Sequence, residues 1–79
     1  MKTCFIVIHR NYAEGLSAYA FWNRKDAEKS VQADVKTTEI NLKTHYEPIT
    51  LIRNADEAEV YVPGNDIYYE WNIFESDIC

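Results

Sequence analysis

Hydrophobic and polar positions along this chain change their period several times, and each change marks an element. Cys4-Phe5-Ile6-Val7-Ile8 is a short apolar run rich in β-branched residues and predicts a buried strand. Asn11 to Gly15 reads as a turn. Leu16 to Trp22 alternates as a second strand, hairpinned to the first. Ser17, Tyr19 and Phe21 fall on one of its faces, and Leu16, Ala18, Ala20 and Trp22 on the other.

The period then lengthens. Ala27, Val31, Val35, Thr38 and Leu42 recur at spacings of four, four, three and four, which is one stripe of a helix. Asn23 stands where an N-cap belongs. Asp26, three residues on, can reach back to the exposed N–H groups and suits the helix dipole. The helix is predicted over Arg24 to Lys36. From Thr37 to Lys43 the pattern also alternates, so that stretch fits helix or strand. Pro48 disfavours helix at Glu47, which ends any helix by His45 or Tyr46.

Three more strands follow, at Ile49–Arg53, Ala58–Val62 and Ile67–Glu75. Turns separate them at 54–57 and at Pro63-Gly64-Asn65-Asp66. In the last strand Ile67, Tyr69, Trp71 and Ile73 share one face, where Tyr69 and Trp71 are expected in the core. Tyr68, Glu70, Asn72 and Phe74 share the other, where Tyr68 and Phe74 are expected to be exposed. The order ββαβββ predicts an α+β domain, an antiparallel sheet with one helix packed on one face. Seventy-nine residues make one domain, 1–79, with a thin core. No apolar run is long enough to span a bilayer, and no signal peptide is visible, so the expected compartment is the cytosol.

Charge divides the chain unequally. Residues 1–53 hold all eight Lys/Arg and six Asp/Glu, a balance of +2; residues 54–79 hold seven acids and no base, a balance of −7. The basic residues alternate with acids along the helix and form no phosphate-binding patch, so direct nucleic-acid binding is not expected. His9 and His45 lack ligand-spaced neighbours, which argues against zinc. His9 is expected to cap a sheet edge, and His45 to lie near the helix C-terminus. No phosphate loop or nucleophile elbow exists, and paired acids such as Asp56 and Glu57 read as a solvated turn. No cofactor and no catalysis are expected. Cys4 reads as a small core residue, Cys79 as a frayed end, and both as free thiols rather than a bridge.

The acidic segment also carries Tyr61, Tyr68, Tyr69, Trp71 and Phe74. Rings among carboxylates suit a protein interface, with rings giving desolvated contact and acids giving steering toward a basic patch. The candidate partner-binding residues are Asp56, Glu57, Glu59, Asp66, Tyr68, Glu70, Phe74, Glu75 and Asp77. A second reading is a self-associating adaptor whose C-terminal strand, Ile67 to Glu75, is an edge that pairs with its copy.

The opening Lys2–His9 strand, the Phe21-Trp22 strand end, the Asn23-Arg24-Lys25-Asp26-Ala27-Glu28 helix start and the closing Tyr68-Tyr69-Glu70-Trp71 strand resemble small acidic proteins of phages and mobile elements. Some of these inhibit bacterial defence, the anti-CRISPR proteins among them. The likeness is architectural and carries no functional residue. It implies an inhibitor, working in a bacterial cytoplasm, that mimics nucleic acid and occupies the basic channel of a CRISPR effector or another nucleic-acid-binding complex.

Overall fold

The computed structural model describes residues 3–46, 49–54 and 56–77. Strands β1 (Cys4–Asn11) and β2 (Gly15–Phe21) form the opening hairpin, α1 spans Arg24–Lys43, and β3 (Thr50–Arg53), β4 (Glu57–Tyr61) and β5 (Tyr68–Ser76) complete the chain. The sheet is antiparallel throughout, in the order β2-β1-β5-β4-β3, with α1 against one face. This is the expected α+β, ββαβββ architecture. The helix leaves the chain after one edge strand and returns it at the other, and the two ends of the sequence meet in the middle as β1 and β5.

Pairing parity assigns each side chain to a face. Val7 opposes Tyr19 and Ile73, while Trp71 opposes His9 and Ala58. These belong to the face under α1. Its core is built on Trp71, Val7 and Val60, closed from above by Ala27, Val31, Val35 and Leu42 of the helix. Burying apolar area at about 25 cal/mol per Å² is the main term holding so small a domain together.

Local chemistry fixes the ends of the helix. Asn23 is extended (φ −137°) and its Oδ1 accepts from the Asp26 N–H at 2.8 Å, while its Nδ2 donates to Asp26 Oδ2 at 2.9 Å. Residues 37–43, which fit helix or strand by pattern, are helical. Leu42 is buried and Ile40 is 55% exposed, so the helical stripe decides the conformation and the alternation is incidental. At Pro63-Gly64, Gly64 takes φ +83° and the Asn65 N–H donates to the Val62 carbonyl at 3.1 Å, a turn that joins β4 to β5.

Three expectations are corrected. β5 is not an edge strand: it is hydrogen-bonded to β1 on one side and β4 on the other, so it has no free side to pair with a copy. His9 does not cap an edge, because β1 runs on to Asn11 and carries His9 inside the second most central strand. Cys4 is not a free thiol. It is buried, as expected, and disulfide-bonded. The chain's other cysteine, Cys79, lies outside the described residues. Among the described residues no helix is long and apolar enough to cross a membrane.

Candidate functional site

With α1 covering one face, the other face of the sheet stands open. Strand parity gives it two halves. On β1 and β2 it is apolar: Ile6 lies between Ala20 and Phe74, and Ile8 between Ala18 and Asn72. Phe74 is 50% exposed and Leu16 68%. On β4 and β5 the same face is acidic. Glu59 and Glu70 are direct cross-strand partners, and Glu57 opposes Asn72.

Like charges directly opposite one another destabilise a sheet, and a folded domain keeps such a pair only against compensation. Arg10, the next residue across from Glu70, supplies part of it, with its Nη2 2.6 Å from Glu70 Oε1. The Arg10 guanidinium also lies over the Tyr68 ring, 5.9 Å from its centroid. Glu59 has no ion-pair partner among the described residues. Tyr61 opposes Tyr68 two pairs along, on the same face, both more than a third exposed. Arg10, Glu59, Tyr61, Asp66, Tyr68 and Glu70 are among the residues that line an open groove of about 640 Å³. The turn after Pro63 brings Asp66 into the same groove.

The nine residues expected to bind a partner thus divide. Glu57, Glu59, Tyr68, Glu70 and Phe74 share the open face, with Asp66 in the groove. Glu75 opposes Phe5 and therefore lies on the helix side, away from the others. Asp77 follows the end of β5, exposed. Asp56 is engaged in the fold: its Oδ1 pairs with Arg24 Nη2 and its carbonyl accepts from the Ile73 N–H at 2.8 Å, which ties the β3–β4 turn to the helix start. Glu57 is held in part by Asn54, whose Nδ2 donates to its Oε1 at 2.9 Å. The site also takes in two residues that a search confined to the acidic C-terminal segment passes over or ranks as bystanders, Arg10 and Tyr61. Tyr61 stands among the rings of the acidic segment but not among the expected binding residues; its face follows from its pairing with Tyr68. Arg10 had no signal, since its place depends on β1 pairing with β5.

A second polar cluster lies under the helix side of the β1–β2 turn. The Glu70 carbonyl can only accept, so His9 Nδ1 donates to it at 2.9 Å, and His9 Nε2 accepts from Asn11 Nδ2 at 3.1 Å. Asn11 Oδ1 accepts from the N–H groups of Ala13 and Glu14. Every group in this chain is satisfied in the neutral Nδ1–H tautomer. His9 stacks on Trp71 at 4.7 Å, and Tyr12 meets Tyr69 edge-on at 5.8 Å. The Tyr69 hydroxyl is held above its ordinary range, first by burial and then by the neighbouring Tyr12. The histidine's two ring nitrogens are thus both engaged in holding the β1–β2 turn against β5. No cluster of metal-ligating side chains occurs among the described residues.

No family model matches the chain, and neither curated proteins nor solved structures hold a significant match to it.

Proposed function

We propose that this domain is a non-enzymatic binding protein whose open sheet face docks onto a basic protein surface. The observation that carries the reading is the opposed pair Glu59 and Glu70 beside Tyr61 and Tyr68. Two carboxylates held on adjacent strands, with one Arg flanking Glu70 on its far side and none beside Glu59, leave a local negative excess that a Lys or Arg from outside can complete. The phenol rings next to them offer contact area and a cation–π floor for the same side chain.

The partner class follows from the chemistry. Proteins that hold nucleic acid present Lys and Arg in channels, and an acidic rigid face competes there with the phosphate backbone. The likeness to phage inhibitors of bacterial defence points the same way, toward a CRISPR effector or a comparable complex in the host cytoplasm. In that reducing compartment the Cys4 disulfide contributes little, so the reading requires a sheet and core that stay folded in reductant.

The test is affinity capture from a bacterial lysate, with the wild-type domain and a Glu59→Lys/Glu70→Lys variant as bait. A basic, nucleic-acid-binding protein is expected on the wild-type column, lost from the variant and lost at high salt. Capture indifferent to both the reversal and salt overturns the reading.

A further inference from the structure

Edge strands expose a row of unpaired N–H and C=O groups, and folds ordinarily guard them with Lys, Pro, a bulge or a short length. The two edges of this sheet differ. β3 is four residues long and ends on Arg53. β2 is seven residues long, Gly-Leu-Ser-Ala-Tyr-Ala-Phe, with no charge and no proline, and six of its seven residues are exposed. Such a strand is a template for another strand, and its own flanks say which.

We infer that β2 pairs antiparallel with β2 of a second copy of this chain, about a two-fold axis through Tyr19. Residues of one face must meet residues of the same face, so the axis passes through a residue and not between two. Centred on Tyr19, the register sets Ala18 against Ala20 and Leu16 against Trp22. Leu16 and Trp22 are the two most exposed large apolar side chains described, at 68% and 66%. Leu16 lies on the open face opposite Arg10, and Trp22, the residue after β2, falls there if the alternation continues, each three residues from Tyr19 in the sequence. The flanks also differ in sign: Glu14 precedes β2, and Lys25 follows it on the exposed first turn of α1, so an antiparallel pair brings each copy's acidic flank toward the other's basic one. A parallel pairing would instead set Glu14 against Glu14 and Lys25 against Lys25. Centring on Ala18 sets Leu16 against Ala20 and leaves each Trp22 facing Glu14.

The product is a continuous ten-stranded sheet with both helices on one side. It leaves β4 and β5 untouched, so the acidic faces proposed to bind a partner stay free on the opposite surface. Seven strand spacings separate one β4 from the other, about 34 Å. Two acidic patches at that distance act together on a partner with two basic sites, a gain through effective concentration rather than new contacts. The pairing does not depend on the proposed partner being correct.

Sedimentation equilibrium from micromolar to millimolar concentration tests it, with circular dichroism to check the fold of each variant. The wild type is expected to dimerise. Leu16→Glu should weaken the dimer by about tenfold or more, because it buries a charge against Trp22. Trp22→Lys should weaken it similarly, and the double variant Leu16→Glu/Trp22→Lys should restore it, since the register places the new charges opposite one another. A monomer throughout the range overturns the inference. So does a dimer indifferent to Leu16→Glu, one broken instead by Phe74→Glu (which reports face-to-face packing), or a double variant no better than the singles.

Discussion

Single residues in this domain are placed by pairs of demands that agree. Asn11 is buried and polar, and its amide donates to His9 while its oxygen caps the turn that follows. Trp71 fills the centre of the core with its Nε1 unpartnered among the described residues, a polar cost accepted for a large apolar body. Tyr69 joins these groups, half-buried between His9, Tyr12 and Trp71. Burial raises its hydroxyl above the usual value near 10, and Tyr12 raises it further. An acid raised on folding contributes stability that is complete below the unfolded value and is lost as pH climbs through the folded one. A phenolate-absorbance titration should therefore show one of the six tyrosines ionising after the others, and Tyr69→Phe should abolish that late step. Tyr12→Phe should lower it only in part, because burial is the larger cause. A titration in which Tyr69 ionises with the exposed tyrosines contradicts this account.

At the scale of elements, local signals and distant ones were legible to different degrees. Asn23, Asp26 and the Ala27–Leu42 stripe announced the helix because capping and amphipathicity are written within a few residues of each other. The same holds for the Pro63-Gly64 turn and for the two faces of β5, where Trp71 is buried and Phe74 exposed as the alternation implies. Strand order was not legible. Whether β5 is an edge depends on β1, some sixty residues away, and the hydropathy of β5 is the same in either place. That single unknown hid the role of Arg10; Glu75, by contrast, falls on the helix side by the same alternation that buries Trp71 and Ile73, a consequence that grouping it with the acids by charge overlooked. Cys4 shows the same limit, since its burial could be read locally and its bond could not. The cap itself can be weighed. Asn23→Ala removes the acceptor for the Asp26 N–H and the donor to its carboxylate, and should lower stability by about 1 kcal/mol. Urea unfolding measures it, and the midpoint should fall with the slope unchanged. A midpoint equal to that of the wild type would mean the helix start is held by the Arg24–Asp56 pair instead.

Across the whole molecule, charge is sorted by layer. The helix carries both signs, with Arg24–Glu28 and Glu39–Lys43 pairs at 3.2 and 2.9 Å, and it presents Lys25, Lys29 and Lys36 to solvent. The open face carries acids and rings. The net charge of −5 steers any basic partner at long range, whereas the contacts at Glu59, Glu70 and the tyrosines act only after docking. The two contributions separate in kinetics. Lys29→Glu/Lys36→Glu makes the domain more negative by four charges on the covered side, far from the proposed interface. Association with a basic partner should quicken at low salt and dissociation should not change. Glu59→Gln/Glu70→Gln removes two charges from the open face, and dissociation should quicken by more than association slows, because desolvated groups lose their counter-charges. Surface plasmon resonance at two ionic strengths reads both. If the helix variant alters dissociation as strongly as the sheet variant does, the partner touches the helix layer, and the open face is not the binding surface.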